Sequence, residues 1–170
     1  MSWALLLVAM AATAPTHADD SPHEIYWHTG FAFLSGPDRV AAGLGGGPGY
    51  RLHLSERWSV DAEASWLVAA GNVVALSVGG NYSLRFGWYQ PLGGIRAGTI
   101  FGAHIRTLTS DHPRPPPGAA FFAQLSLAPL RFAAGRFSAS ALEVRFGFAT
   151  SRDSPARVLS LTILAVGVRL

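Results

Sequence analysis

The residues of this chain that could do chemistry are charged side chains set in segments of strict alternation. Where apolar and polar residues alternate with a period of two, side chains point to opposite faces. Glu24, Arg51, Asp61, Glu63, Arg85, Arg96, Arg106, Glu143 and Arg145 all fall on the face opposite the apolar one. If residues 55–57 make a tight hairpin link, Arg51 lies directly across from Asp61, with Glu63 one diagonal step away. The chemistry expected is electrostatic, an ion-pair network of Arg51, Asp61, Glu63, Arg85, Arg96, Glu143 and Arg145. In a narrow interior such a network either gates a selective pore or plugs the space. The plug is the plainer reading, because few strands enclose an interior that side chains can fill.

Catalytic and ligand-binding patterns are weak by comparison. Ser110, Asp111 and His112 are consecutive in a loop beside Pro113-Arg114-Pro115-Pro116-Pro117, and adjacent residues seldom bring nucleophile, base and orienting group into line. His104 has no Ser or acidic residue two positions away. His17, His23, His28, His53, His104 and His112 show no paired ligand spacing, and the chain has no Cys. The Gly-rich run 43–49 lacks the Lys-Ser/Thr of a phosphate loop, and no helical pattern follows it. It reads as a strand whose inward Gly residues make room for bulky neighbours, with a local bulge at Pro48, which removes a ladder donor. No metal, cofactor or enzymatic activity is expected.

These side chains must be positioned by strands. The alternation is cleanest in Trp58, Val60, Ala62, Ala64 and Trp66 against Ser59, Asp61, Glu63 and Ser65. The segment before it sets Leu44, Tyr50, Leu52 and Leu54 against Gly43, Gly45, Gly47, Gly49, Arg51 and His53. The same pattern recurs over residues 25–33, 74–86, 89–105, 121–127, 142–148 and 164–170, with residues 129–136 read as a turn. A phase slip near Ala141 predicts a β-bulge. The count is about eight antiparallel strands, of the roughly 9 to 11 residues that a tilted membrane-spanning strand needs.

Composition points the same way. Hydrophobic residues make up 49% of the 170 and charged residues only 14%, against roughly 25% charged in a soluble domain. All 13 basic residues are Arg, scattered singly, which argues against a nucleic-acid partner. The short apolar run 4–14 and the small-x-small sequence Thr16-His17-Ala18 read as a secretory signal peptide over residues 1–18, leaving 19–170 as one domain.

Alternation alone does not say which face meets water. The face opposite the apolar one is rich in Gly, Ser and Ala, suited to a cramped lumen. Tyr50, Trp58, Phe86, Trp88 and Tyr89 gather near one set of strand ends, and Phe31, Phe33 and Trp66 near the other, as interfacial girdles do. The sequence also runs to its end in a strand pattern, with no terminal helix of the lipocalin kind. The expected fold is therefore all-β, a closed up-and-down antiparallel transmembrane β-barrel with its apolar face in lipid. A secreted lipocalin-like carrier is the soluble alternative.

The sequence resembles the small eight-stranded outer-membrane β-barrels of the OmpA transmembrane-domain and OmpX/Ail type over nearly all of residues 22–170. The resemblance rests on Gly-Tyr-Arg-Leu-His-Leu and Asn-Tyr-Ser-Leu-Arg-Phe before tight turns, on the aromatic-led starts Trp58-Ser59-Val60-Asp61 and Trp88-Tyr89, and on the ending Leu164-x-Val166-x-Val168-x-Leu170. That ending resembles the signal read by the outer-membrane assembly machinery, although the family normally ends in an aromatic and this chain in Leu170. The resemblance implies a monomer in the outer membrane of a Gram-negative bacterium. Its partners would be outer-membrane lipid and lipopolysaccharide, with the assembly machinery engaged during biogenesis. It also implies a structural or surface-interaction role, with the turns at 55–57, 87–88 and 129–136 periplasmic and the segments 34–40, 67–71, 107–118 and 150–156 outside. The lipid A deacylase and palmitoyltransferase families share this architecture and make a lipid A-modifying enzyme the rival reading; no His-x-Ser on a strand supports it. A narrow pore is a third alternative.

Overall fold

The computed structural model describes residues 21–36, 40–69, 71–102, 118–150 and 155–170. The segment 1–18 read as a signal peptide, Arg106, His104 and the Ser110-Asp111-His112 run lie outside the described residues. Nine strand segments are present among those described: β1 (His23–Ser35), β2 (Val40–His53), β3 (Trp58–Ala69), β4 (Gly71–Ser83), β5 (Leu92–Gly102), β6 (Gly118–Ala128), β7 (Leu130–Ala134), β8 (Phe137–Thr150) and β9 (Pro155–Arg169). Each pairs antiparallel with its neighbours in the order β6-β5-β4-β3-β2-β1-β9-β8-β7, and β6 also pairs with β8, which closes the sheet. Leu127 pairs with Val144 and Leu130 with Ala141, a single register, so β6 and β7 are two halves of one stave interrupted at Pro129. The result is a closed eight-stranded up-and-down barrel, an arrangement that leaves no unpaired sheet edge.

The two-residue period dictates the wall. Along β1 every second residue from Glu24 to Leu34 is buried and the intervening ones are exposed. Trp27, Val78, Ile95, Phe121 and Phe148 stand outside, while Arg51, Asp61, Glu63, Arg96 and Arg145 stand inside. The hairpin over residues 54–57 pairs Arg51 with Asp61, as the sequence spacing predicts.

Three expectations are corrected. Pro48 causes no bulge: the β1–β2 register runs unbroken through Trp27↔Pro48, and the β2–β3 register is the same on both sides of Gly47 and Pro48. The missing donor is accommodated by a local gap in the β2–β3 pairing instead. Residues 129–136 are not a turn, since β7 continues the wall and only Gly135 and Arg136 turn the chain, with Gly135 at φ 57. Arg85 does not face the lumen; β4 ends at Ser83, and Arg85 lies exposed in the following turn, beyond the reach of the strand alternation.

The slip expected near Ala141 occurs at Leu142, which has φ 63, and it is shared by three adjacent staves. Inward positions jump from Ala128 to Arg131, from Ser140 to Glu143, and from Thr162 to Ala165. Pro129, Leu142 and Ile163 fall opposite one another in the registers, and the β1–β9 register shifts by one between Thr29 and Gly30. This common irregularity turns Arg131 inward, where simple alternation would have sent it to the outer face.

Candidate functional site: the lumen

The lumen is layered along the barrel axis. Toward the ends of the strands that carry the longer connections, Leu34, Val73, Ile100, Ala120, Phe122, Ala149 and Val158 form an inward apolar cluster. The interior is therefore polar over only part of its length. Toward the opposite end, four carboxylates and four guanidiniums alternate in one chain of contacts. Arg131 Nη2 lies 3.1 Å from Glu24 Oε2, Arg51 Nη1 3.6 Å from Glu24 Oε1, and Arg51 Nη2 3.3 Å from Asp61 Oδ2. Arg96 Nη2 donates to both Asp61 oxygens at 2.9 Å, and Arg96 Nη1 lies 3.3 Å from Glu63 Oε2. Arg145 Nη1 donates to Glu63 Oε1 at 2.6 Å, Nη2 to Oε2 at 2.9 Å, and Nε to Glu143 Oε1 at 2.7 Å. The chain of contacts carries no net charge, which suits an interior where an unbalanced charge would cost several kcal/mol.

Of the residues named from the sequence, Arg51, Asp61, Glu63, Arg96, Glu143 and Arg145 come together here, and Arg85 does not. Glu24, placed inward by the alternation but not counted in the network, is its most enclosed member, with 0% exposure. It accepts hydrogen bonds from Arg131 and Ser138, and His53 Nε2 lies 2.8 Å away. Tyr26 is a further member that the charge pattern does not single out. Its hydroxyl donates to Glu63 Oε2 at 3.2 Å and sits 3.4 Å from Asp61 Oδ2, while the Arg51 guanidinium stacks 4.9 Å over its ring. The signal for Tyr26 lies in Gly49: the two are paired, and a Cβ on Gly49 would overlap the Tyr26 ring. Asn81 Nδ2 completes the Asp61 shell at 3.0 Å.

Two small cavities flank this ionic belt. One of about 60 Å³ lies between the belt and the apolar cluster, beside His28, Ser65, Ser77, Gln124, Ser160 and Thr162. The other, of about 20 Å³, lies beside Tyr26, Arg51, Ser138, Ser140 and Glu143. His28 Nδ1 and Arg96 Nε on the first, and Arg51 Nε and Ser140 Oγ on the second, are buried polar atoms without a protein partner. Both cavities have room for water, which such atoms require. His28 Nε2 lies 3.1 Å from Ser65 Oγ and 3.4 Å from Glu63 Oε1. Base, hydroxyl and acid thus converge on one nitrogen, with nothing on Nδ1 to orient the ring, which is not the geometry of an activated nucleophile. Among the described residues no group of three or more His, Asp or Glu could hold a metal ion.

On the outer wall Tyr50, Trp58, Trp66, Phe86 and Trp88 are exposed and Tyr89 is partly so; Leu164, Val166, Val168 and Leu170 form an exposed apolar row. An apolar exterior around a charged interior is the polarity expected of a lipid-solvated barrel.

The comparisons agree on the class. The fold is similar to that of the Neisserial surface protein A crystal structure, with a TM-score of 0.62 at 11% identity, covering 88% of this chain and 98% of that one. It is also similar to the N-terminal β-barrel domain of OprF from Pseudomonas aeruginosa, with a TM-score of 0.52 at 8% identity, covering 86% and 98%. The chain thus has the fold of the small eight-stranded outer-membrane barrels. No protein-family model matches the sequence, and no curated protein matches it.

Proposed function

We propose that this chain is an integral outer-membrane β-barrel protein of a Gram-negative bacterium, with a structural or surface-interaction role and a lumen closed by the ionic plug. The observation that carries the reading is the inverted distribution of polarity: exposed Trp27, Val78, Ile95 and Phe148 surround buried Arg51, Asp61, Glu63, Arg96 and Arg145. The turn end is periplasmic, and lipopolysaccharide surrounds the opposite rim. Leu164, Val166, Val168 and Leu170 form the strand pattern offered to the assembly machinery. The reading is non-catalytic.

Expression in a Gram-negative host tests it. The expected result is recovery in the detergent-extracted outer-membrane fraction, with a band that shifts on heating. Recovery as a soluble monomer without detergent would overturn it in favour of a lipocalin-like carrier. Altered lipid A acylation on overexpression would instead support an enzyme.

One observation favours a narrow pore as the second reading. Belt residues line both cavities, Glu63, Arg96 and Arg145 the first and Glu24, Arg51 and Glu143 the second, so the belt lies between them. Planar-bilayer recordings decide: the plug predicts no steady conductance, whereas conductance that changes in Asp61→Ala marks a gated pore.

A further inference from the structure

Among the described histidines only His28 is buried, with 5% exposure, and its hydrogen bonds fix its tautomer. The Ser65 hydroxyl donates to Glu63 Oε1 at 3.1 Å, so Ser65 Oγ, 3.1 Å from His28 Nε2, is left to accept. Nε2 therefore carries the ring proton, and it lies 3.4 Å from Glu63 Oε1 as well. Nδ1 is then a bare lone pair, buried and without a protein partner. Imidazole is the side chain whose charge ordinarily changes between about pH 5 and 8, so Nδ1 is the place where a proton would enter the plug.

The surroundings are balanced only while the ring is neutral. Glu63 on β3 and Glu143 on β8 act on His28 with one sign, and Arg96 on β5 and Arg145 on β8 with the other. Its neighbours across the sheet, Gly47 on β2 and Ala165 on β9, carry no charge, and the Tyr26 ring on its own strand is 6.4 Å away. Among the described residues, β4, β6 and β9 line the adjoining cavity without a charged side chain. Glu63 has no acceptor capacity to spare. It takes two bonds from Arg145 and one each from Tyr26 and Ser65, with Arg96 Nη1 at 3.3 Å. A proton on Nδ1 would therefore add an uncompensated charge and a donor without an acceptor. The charged ring would also compete with Arg145 for Glu63 and Glu143. The cavity of about 60 Å³ beside the ring gives displaced groups and entering water room to move.

We propose that His28 is an acid-sensitive latch of the plug: the neutral ring braces Ser65 and Glu63, and its protonation frees Arg145 from Glu63 and Glu143 and admits water to the belt. The proposal rests on the plug reading, which fails separately if the barrel conducts steadily at neutral pH. The full chain, isotope-labelled and folded in phospholipid bicelles, is followed by NMR from about pH 8 to about pH 5. The His28 ring is expected as the Nε2–H tautomer at the alkaline end. The readout of the latch is the Arg145 Nε–H, which donates to Glu143 Oε1 at 2.7 Å. As His28 takes up its proton, solvent exchange of this N–H should accelerate on the order of tenfold, against the intrinsic slowing of guanidinium exchange toward acid. His28→Gln, which cannot be charged, should keep it protected throughout. A ring that carries its proton on Nδ1 or stays neutral to the acid limit, an Arg145 signal indifferent to His28 protonation, or the same acceleration in His28→Gln would overturn the latch. If His28→Gln does not fold, the tautomer and the coincidence of the two wild-type titrations decide.

Discussion

Arg145 and Glu63, 82 positions apart in the chain, meet across the lumen in a two-pronged pair, Nη1 to Oε1 at 2.6 Å and Nη2 to Oε2 at 2.9 Å. β8 and β3 are not neighbours in the sheet, so this contact spans the interior and ties opposite walls together. Removing Glu63 leaves Arg145 and Arg96 short of a buried partner. Glu63→Ala is expected to lower stability by about 3 to 5 kcal/mol, read from urea unfolding in vesicles by the heat-shift assay. In a double-mutant cycle with Arg145→Ala the losses should fall short of additive by about 1 to 3 kcal/mol. Strict additivity would show that the pair is not coupled.

The outer wall offers a test of solvent. Val78 is 64% exposed on β4. If it faces hydrocarbon, Val78→Arg costs about 2 to 4 kcal/mol near the midplane; in water it would cost almost nothing. The same unfolding assay distinguishes the two, and a neutral result would count against a lipid-facing wall.

Space over Gly49 is reserved for the Tyr26 ring. Gly49→Leu should destabilise by about 1 to 3 kcal/mol through overpacking, and Tyr26→Ala in the same chain should recover part of the loss. No recovery would place the clash elsewhere.

Leu142 holds φ 63 where the phase slips, a conformation strained for a branched side chain. Leu142→Gly removes the strain but also an outward apolar side chain. It should be neutral or stabilising by about 1 kcal/mol, whereas the same kind of truncation at a regular position of the strand, Val144→Gly, should destabilise. A higher urea midpoint for Leu142→Gly than for Val144→Gly is the expected order, and the reverse order would show that the φ at Leu142 stores no strain.

Local geometry makes part of the plug legible. Arg51 and Asp61 can be paired from sequence because a short hairpin fixes their register. Arg131 cannot: it sits two residues beyond Pro129, in a stretch with the composition of a turn, and faces inward only because three staves slip phase together. Arg85 is misplaced by the pattern for the converse reason, since alternation counted past Ser83 continues on paper where the strand has stopped. Alternation does set Glu24 inward, but its partners Arg131 and Ser138 lie more than 100 positions away, beyond any spacing rule.

The sequence by itself determined most of the strands, the face each side chain takes along most of them, and an outer wall almost without charge, because these follow from a two-residue period and from side-chain polarity. Only the tertiary structure decided which opposite charges meet, that Tyr26 sits at their centre, and that an apolar layer fills the far part of the lumen. Those outcomes depend on closure of the sheet, which brings strands distant in sequence across one narrow interior, and on irregularities that reset the phase on the way round.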